Sequence, residues 1–430
     1  MNKLIDYPLF TVIIPQKDRA EYLVHTLRTC MIQDYPNFEI IISDDCSEDN
    51  SVAVVRELAI KDDRIKLFAH DHHLGMRDNF EFALNQVRPG YVMALGGDDG
   101  LVPECVSKMY EILSSTKKEL LTWTPAGFTY PDHEGGKNIF YVKRKKNSGI
   151  KFVKSEDFLN KIAKTFHYQI DECPMLFMKG VVSTALIDRV KSRTKDNSFY
   201  SCSTPDGFSG VVLAGEVEEY AFSYEPLSIV GSTTKSQGRN YDRTDKKSQE
   251  EAQQFFNDNI RRTMNAELAY QQYSPLSTLM TADYLLTARD LPGWPGKFEP
   301  ISFDALIRST FKFIEKSPIE NEVLIRELQI LREIARQHGL LELFEKLMIT
   351  TKRKVVRVEQ VYGFVFTNSI RFEGTELGIY NIFDASLATN FVYNFYNKMS
   401  LKFILAFISN TLNVLLRNKK YKVEDLPEIN

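Results

Sequence analysis

The chain has 430 residues, which is too long for one ordinary core and predicts two or three domains. Its hydrophobic content of 43% and charged content of 26% are typical of a globular protein in water, and a net charge of −3 argues against a general nucleic-acid binder. Five scattered cysteines without CxxC spacing argue against a zinc site or a disulfide framework and favour the reducing cytoplasm. The sequence shows no signal peptide and no apolar stretch long enough to span a membrane, so we expect neither secretion by that route nor an integral membrane protein.

The first 125 residues alternate short apolar runs with segments of helical spacing. The predicted strands are 10–14, 38–42, 64–69, 91–95 and 120–124, and the predicted helices are 19–33, 51–60, 78–87 and 103–114. Pro15 is predicted to end the first strand. Continuous apolar strands separated by helices predict an α/β fold with a doubly wound, mostly parallel sheet that is covered on both faces.

Two acidic pairs follow strands of this predicted sheet. Asp44 and Asp45 come after the second strand, and Asp98 and Asp99 come after the fourth. Ligands of such sheets bind beyond the carboxyl ends of the strands, so the loops after strands one, two and four share one edge. We therefore expect both acidic pairs at the same rim.

The remainder of the chain divides at a polar stretch. Residues 231–250 have little apolar content, are predicted to be mobile, and separate a domain of residues 1–240 from a mainly helical domain of residues 251–430. The predicted segments before and after that stretch are a loop or weak hairpin (127–150), a mostly helical region (155–193), an acidic loop before a helix (201–210), a strand (220–224), helices (251–349) and strand-like VYGFVF and ELGIYNIF.

Asp98 and Asp99 stand in the sequence GGDDG, which allows two interpretations. Aspartate and glycine favour turns, so the pair is either a solvated turn that caps the next helix or a site for a hard divalent cation. Mg²⁺ and Mn²⁺ prefer carboxylate oxygens and share their coordination with substrate phosphates. The second acidic pair at the same rim favours the cation site.

The other rim residues also allow two interpretations each. Asp44 and Asp45 either cap the following helix or accept hydrogen bonds from a base or a ribose. Arg77, near the start of the third helix, either pairs with a phosphate or a base or is a solvated charge. The turn after the first strand reads PQKDRA, which lacks the GxGxxG of a dinucleotide site, and the chain has no Walker lysine motif or GxSxG elbow.

Three loops in this order resemble the inverting family 2 glycosyltransferases with the GT-A fold. The series FTVIIPQKDRAEYLVHTLRTCMIQDYPNFEIIISDDCSEDNS and GYVMALGGDDGLVP is similar to their IP-x-x-N-R, DDxSxD and D-x-D elements, and the resemblance covers residues 9–235. The chain departs from the pattern at three places. Gly96 replaces the first Asp of D-x-D, Gln16-Lys17-Asp18 replaces the common Thr-Tyr-Asn, and Cys46 replaces a common Gly.

The resemblance implies a nucleotide-sugar donor, most often a UDP-sugar, and an acceptor in a bacterial surface polysaccharide such as O-antigen or capsule. It further implies a donor site at the predicted rim. The implied roles are uracil or ribose binding for Asp44 and Asp45, base-pocket lining for Pro15 and Arg19, and ribose and Mn²⁺ or Mg²⁺ binding for Asp98 and Asp99.

An inverting transfer needs a base that removes the proton of the acceptor hydroxyl. By the same resemblance Asp206 in TPDGFSG is the candidate, with a helix N-cap as its alternative role. Lys235 and Arg239 either close over the donor diphosphate or form a basic linker. Glu216, Glu218 and Glu219 are further candidates for the base.

The C-terminal stretch 399–422 combines the apolar FILAFI with nearby basic residues. It is either a surface helix attracted to anionic lipid, which would place the protein at the inner face of the cytoplasmic membrane, or a helix packed on its own domain.

Two rival functions of the protein also stay open. One is a nucleotidyltransferase. The other is a sugar-binding scaffold without catalysis, which the loss of the first Asp of D-x-D at Gly96 suggests.

Overall fold

A computed structural model describes residues 7–132, 136–143, 147–236, 263–317, 319, 321–356, 369–396, 421–427 and 429. Its strands are β1 Phe10–Gln16, β2 Phe38–Asp44, β3 Ile65–Ala69, β4 Tyr91–Ala94, β5 Gly100–Leu101, β6 Leu120–Trp123, β7 Ala126–Thr129, β8 Ile139–Lys143, β9 Ile150–Lys154, β10 Gly180–Ser183, β11 Glu219–Ser223, β12 Ser228–Ser232, β13 Lys352–Val356, β14 Ser369–Glu373 and β15 Tyr421–Asp425. Its helices are α1 Ala20–Met31, α2 Ser51–Lys61, α3 Met76–Asn85, α4 Cys105–Thr116, α5 Ser155–Thr165, the single turn α6 Leu176–Lys179, α7 Thr184–Lys191, α8 Pro205–Gly215, α9 Ser277–Arg289, α10 Phe303–Ile314, α11 Asn321–Gln337, α12 Leu341–Thr350 and α13 Ile382–Tyr396.

The larger sheet has the strand order β3-β2-β1-β4-β10-β6-β11-β9. The strands from β3 to β4 pair in parallel, whereas β10 runs antiparallel to both β4 and β6. In β1 and β2 successive β-branched side chains alternate between two apolar layers: Ile13 and Ile41 belong to one, and Val12 and Ile40 to the other. The register Gln16↔Asp44 places the ends of these two strands side by side.

The smaller sheet has the order β14-β8-β7-β12-β5 and lies at the end of β4. β5 directly follows the Asp98–Asp99 pair and runs antiparallel to β12. α13 packs on this sheet, where the Ser386 hydroxyl donates to the Leu101 carbonyl oxygen (2.5 Å). The sheet therefore joins residues from three distant parts of the chain beside the acidic pair.

The helices α9 to α12 share a third apolar core. In α11, Leu324, Leu328 and Leu331 recur at helical spacing and are buried. α9 is buried along most of its length and packs against α8 of the preceding region. The helical region is thus attached to the helix that carries Asp206 at its first turn.

The structure confirms the α/β class, the mostly parallel sheet and the mainly helical C-terminal part. Pro15 does not end β1, because a proline without an N–H is accommodated near the end of a parallel strand, which continues to Gln16. The predicted helical region 155–193 contains β10, and α8 begins inside the predicted loop 201–210. ELGIYNIF forms a 3₁₀ turn and the start of α13 instead of a strand, whereas VYGFVF lies outside the described residues.

The domain division at residues 240 and 251 stays a prediction, and the structure adds a contact across it. β14 pairs with β8, and α13 contacts α1 and β5. Residues 369–396 therefore lie against the N-terminal part of the chain, although the sequence assigns them to the helical domain.

Candidate functional site

The rim begins with two neighbouring side chains at the ends of β1 and β2. The Gln16 side-chain amide donates a hydrogen bond to Asp44 Oδ2, and the Ser47 backbone N–H donates to Asp44 Oδ1 (2.9 Å). Asp44 is 1% exposed and Gln16 is 5% exposed. Gln16 Oε1 is also buried and accepts no hydrogen bond from the described residues. Asp44 is thus fixed at the predicted donor rim, beside an acceptor that a ligand N–H or O–H can satisfy.

Asp45 points toward a different part of the rim. Its carboxylate accepts hydrogen bonds from the backbone N–H groups of Leu74 (2.6 Å) and Gly75 (3.1 Å), and His73 Nδ1 lies 2.9 Å from Oδ2. Gly75 has a φ of 87° and precedes the first residue of α3. Asp45 therefore holds the loop before α3, a structural task that the sequence did not predict.

Asp99 connects β4 to β12. Its Oδ2 accepts from the Gly96 N–H (2.8 Å) and its Oδ1 accepts from the Gly231 N–H (2.9 Å). Burial, together with the negative charge of Asp98, raises the pKa of Asp99, and these two backbone donors oppose that rise. Both oxygens of Asp99 are thus engaged by the backbone.

Asp98 presents one oxygen to the rim. Its Oδ2 accepts hydrogen bonds from the hydroxyls of Thr233 and Ser236 (both 3.1 Å), whereas its Oδ1 accepts none from the described residues. The chain at residues 233–236, here called the strap, also contacts the loop after β1. Arg19 Nη2 donates to the Lys235 carbonyl oxygen, and Lys235 Nζ donates to the Asp18 carbonyl oxygen (2.6 Å).

Two positive side chains, Arg19 of the loop after β1 and Lys235 of the strap, thus lie beside the acidic pair. Each donates to a backbone carbonyl oxygen. Neither Arg19 nor Lys235 forms an ion pair among the described contacts. A carbonyl oxygen is a weaker partner than a phosphate for either cation. The sequence assigned Lys235 to the diphosphate and Arg19 to the base pocket, and the structure brings both side chains to the same loop beside the rim.

The residues present are compatible with a divalent cation whose other ligands come from a substrate. Among the described residues no three His, Cys, Asp or Glu side chains cluster into a ready-made metal site. Mg²⁺ is commonly held by only one or two carboxylates plus phosphates and water. Asp98, through its open Oδ1, and the adjacent Asp99 supply such a pair.

The two glycines before the acidic pair have different steric roles. A Cβ at Gly97 would lie 3.0 Å from Arg19 Cβ, so the absence of a side chain admits the Arg19 stem. A Cβ at Gly96 would lie 2.9 Å from Asp99 Oδ2 and 3.0 Å from Asp98 Oδ1. The space of the family's first Asp is therefore occupied here by the carboxylates of the remaining pair.

Asp206 lies in the first turn of α8, directly after Pro205 at the helix start. Burial raises the pKa of its carboxyl group, although the residue is not fully enclosed. Oδ2 accepts a hydrogen bond from the Tyr168 hydroxyl (3.4 Å), and Oδ1 is buried and accepts none from the described residues. A carboxylate with a raised pKa and an unused acceptor oxygen suits proton abstraction.

A short series of contacts connects Asp206 to the acidic pair. The Ser209 hydroxyl donates to the Asp206 carbonyl oxygen (2.6 Å) and accepts from the Leu176 N–H (3.1 Å). The next residue, Phe177, forms a β-bridge with Ala94 at the end of β4. Its ring lies 3.4 Å from the Cβ position of Gly96. The turn with Asp206 is therefore at the same end of β4 as Asp98.

Other predicted residues lie elsewhere. Arg77 Nε donates to the Tyr200 carbonyl oxygen (2.8 Å), so its guanidinium faces the residues before α8 and not Asp44. Pro15 is buried in β1, and Arg239 lies outside the described residues, as does most of the terminal stretch 399–422. Glu216 is at the opposite end of α8, where it pairs with Arg193 (2.6 Å).

Sequence reasoning missed the polar residues that complete the site. Thr233 and Ser236 fall in a stretch whose composition predicts mobility, and Tyr168 and Tyr284 read as ordinary core aromatics. Gln16 appeared only as a departure from a family pattern. Of these five residues, only Gln16 had a local signal in the sequence: it stands at a strand end, directly before the charged residues of PQKDRA.

One protein family matches the part of the chain that forms most of the rim. Residues 11–177 match the family model described as Glycosyl transferase family 2. This part of the chain is therefore similar to the family 2 glycosyl transferases. The matched range contains β1 to β4, both acidic pairs and Tyr168, whereas Asp206 and the strap follow it.

Two curated relatives are similar to part of the chain. An uncharacterized glycosyltransferase of Haemophilus influenzae is 25% identical over 154 residues, which are 36% of this chain and 60% of the relative. The GalNAc(5)-diNAcBac-PP-undecaprenol beta-1,3-glucosyltransferase of Campylobacter jejuni is 33% identical over 105 residues, 24% of this chain and 34% of that protein. The matches thus span less than two thirds of either relative.

Among solved structures, the crystal structure of S. aureus TarS 1-349 in complex with UDP-GlcNAc is similar over 79% of this chain and 90% of that chain, with 14% identity and a TM-score of 0.41. Within the described parts of this chain, no helix combines the length and apolarity required to cross a bilayer. The part similar to family 2, its rim and the turn with Asp206 are the parts on which a functional assignment depends.

Proposed function

We propose that this protein is an inverting glycosyltransferase. It transfers a sugar from a nucleotide-diphosphate sugar, of which a UDP-sugar is the first choice, to a hydroxyl group of a glycan or lipid-linked acceptor. The observation that carries the proposal is the shared location of Asp98, with its open Oδ1, and Asp206, with its unpartnered Oδ1, at the end of β4. One carboxylate suits the donor and the other suits the acceptor.

The donor would bind along the rim. In this proposal Asp44 and the buried Gln16 Oε1 would bind the nucleoside. Lys235 and Arg19 would bind the diphosphate, Arg19 in place of the base-pocket role that the resemblance implies. Asp98 and Asp99 would hold Mg²⁺ or Mn²⁺, which when bound neutralises charge on the departing diphosphate. Donor binding would have to replace the strap hydroxyls or share Asp98 with them.

Asp206 would act on the acceptor. As the acceptor oxygen bonds to the anomeric carbon, the bond from that carbon to the diphosphate oxygen breaks, and the acceptor proton passes to Asp206. Attack from the face opposite the leaving group inverts the anomeric configuration. A carboxyl group whose pKa is raised by burial binds this proton more readily than an exposed one.

The acceptor class is proposed from a relative. The Campylobacter protein that is similar to part of this chain is named as a glucosyltransferase of an undecaprenol-linked saccharide. We extend this class, a lipid-linked saccharide of a bacterial surface polysaccharide such as O-antigen or capsule, to the present chain. A peripheral contact with the inner face of the cytoplasmic membrane through residues 399–422 would suit such an acceptor.

The test is release of nucleoside diphosphate from UDP-glucose, UDP-GlcNAc, UDP-galactose and GDP-mannose, each with Mn²⁺ and with EDTA. We expect Mn²⁺-stimulated release from at least one donor. Asp98→Asn should lower that release on the order of 10²-fold, since it removes an electrostatic contact at the leaving group. Asp206→Asn should bind the donor normally and lower release by a similar factor.

The matched control is Asp188→Asn on the exposed face of α7, which removes the same charge away from the rim. If Asp206→Asn releases nucleoside diphosphate at the wild-type rate, Asp206 is not the base. Donor binding without release in any condition would favour the scaffold, and diphosphate exchange with UTP and a sugar 1-phosphate would favour a nucleotidyltransferase.

A further inference from the structure

We propose that the helical region after residue 263 positions the base: Tyr284 of α9, together with Tyr168, fixes the turn that carries Asp206. The inference rests on the proposed function, which assigns the proton-accepting role to Asp206. It gives the C-terminal region a part in turnover, whereas the sequence left its role open. Both tyrosines act through Asp206 and are positioning residues.

Tyr284 contacts the turn on both sides of Asp206. Its hydroxyl forms a hydrogen bond with Thr204 Oγ1, two residues before Asp206. Its ring lies 2.2 Å from the position that a Cβ of Gly207 would take, one residue after Asp206. Only a glycine fits under the ring, so the backbone around Asp206 has no room to move toward α9.

Tyr168 connects this packing to the carboxylate. Its ring meets the Tyr284 ring edge-to-face, with centroids 5.2 Å apart at 82°, and lies 2.7 Å from the Gly207 Cβ position. The Gln169 side-chain amide donates to the Tyr168 hydroxyl oxygen (3.2 Å). Since that oxygen already accepts, its own proton is available for Asp206 Oδ2 at 3.4 Å.

The titratable groups facing Asp206 are neutral at physiological pH. They are Tyr168, Cys173, Tyr200 and Tyr284, and burial raises the pKa of each, that of Cys173 to about 12. None of the four carries a positive charge that would favour the ionised carboxylate. The Tyr168 hydroxyl and backbone N–H groups are therefore what oppose the effect of burial on Asp206.

The two carboxylate oxygens of Asp206 have different environments. Oδ2 is oriented by Tyr168, and Oδ1 is left without a partner among the described residues. An acceptor hydroxyl that enters the site can satisfy Oδ1 and lose its proton there. Loss of either tyrosine hydroxyl should misplace or reprotonate Asp206 without affecting the donor rim.

The experiment compares hydrolysis of UDP-glucose, or of whichever tested donor is released fastest, by Tyr168→Phe, Tyr284→Phe and Trp294→Phe. Trp294 is the matched control because it also reaches α8 from the helical region. Its indole N–H donates to the Val212 carbonyl oxygen (3.0 Å), and its ring covers Gly215, at the opposite end of the helix from Asp206. All three changes keep an aromatic ring; Tyr284→Phe and Trp294→Phe each remove one hydrogen bond, and Tyr168→Phe removes two.

For Tyr168→Phe we expect kcat to fall roughly tenfold, because orientation of the base is lost. The acidic limb of the kcat/KM profile should move to higher pH by roughly half a unit to one unit, since a donor to the ionised carboxylate is gone. Tyr284→Phe should lower kcat with an unchanged KM for donor. Trp294→Phe should leave the pH profile at the wild-type position.

Two patterns separate failure of this inference from failure of the proposed function. If both tyrosine variants match Trp294→Phe in kcat and pH profile while Asp206→Asn is inactive, the positioning role is overturned and the base stands. If Asp206→Asn is fully active, the base itself is wrong. Thr204→Ala removes the Tyr284 contact from the other side, so a fall in kcat there, at unchanged melting temperature, supports the inference even if Tyr284→Phe folds poorly.

Discussion

Gly231→Ala tests how the acidic pair is held. Gly231 lies in β12, and a Cβ at this position would be 1.8 Å from the Asp98 carbonyl oxygen and 2.6 Å from its carbon. Because both obstacles are backbone atoms, no side-chain rotation relieves the clash. β12 must move away from Asp98 by more than about 1 Å to reach ordinary contact distance.

The free energy of unfolding that is lost by this movement can be estimated from two contributions. Overpacking costs about 1–3 kcal/mol, and the hydrogen bond from Gly231 N–H to the buried Asp99 carboxyl group contributes roughly another 1–2 kcal/mol. We therefore expect Gly231→Ala to destabilise the N-terminal part by about 2–5 kcal/mol. The strap hydroxyls on Asp98 move with β12, so Mn²⁺-dependent donor binding should weaken as well.

Urea unfolding read by tryptophan fluorescence measures this effect. The chain has two tryptophans, and the Trp123 indole N–H donates to Ser228 Oγ of β12 (2.7 Å). In a Trp294→Phe background, fluorescence therefore reports on Trp123 and the core in which β6 contacts β12. Gly339→Ala is the control, because its φ of 68° adds only about 1 kcal/mol of strain in open space. Equal costs for the two alanines would refute the close packing of β12 on Asp98.

Two further predictions concern the C-terminal region. Burial raises the pKa of Glu327 to about 7 from an ordinary 4.5, so the folded state binds this proton more tightly and stability falls as pH rises from about 4.5 to about 7. Glu327→Gln should gain about 3 kcal/mol relative to wild type between pH 5 and pH 8 in urea midpoints, and parallel pH curves would contradict this origin. If residues 399–422 bind anionic lipid, Lys419→Glu with Lys420→Glu should abolish co-sedimentation with phosphatidylserine vesicles, whereas unchanged sedimentation would exclude that contact.

The rim was predictable because it follows from strand direction alone. Asp44 and Asp98 each come directly after an apolar strand, and parallel strands bring their carboxyl ends to one edge. Asp206 was proposed as the base from family resemblance and its Pro-Asp-Gly turn, which are both local signals, and that role stays a prediction. The sequence could not show that Asp45 and Asp99 have backbone N–H groups as partners, because the fold sets those contacts.

The features that were missed depend on contacts between distant residues. β10 is only four residues long and stands between helical segments, so its antiparallel insertion beside β4 has no periodic signal. The strap is polar and reads as mobile, but its hydroxyls become partners of Asp98 once β12 is paired. Tyr284 reads as core because nothing in α9 indicates that its hydroxyl reaches Thr204.

The pairing of β14 with β8 has a consequence for how the protein can be produced and how it folds during synthesis. A fragment cut at the predicted boundary near residue 240 keeps Asp44, Asp98 and Asp206 but loses β14 and α13, so the edge of β8 that pairs with β14 becomes exposed, while β7 still pairs with the other edge. Exposed edges recruit other chains, so such a fragment should aggregate on the ribosome's timescale instead of behaving as a minimal enzyme. Expression of a shortened protein should therefore extend at least through Tyr396, and nascent chains are protected at this edge only after Glu373 has emerged.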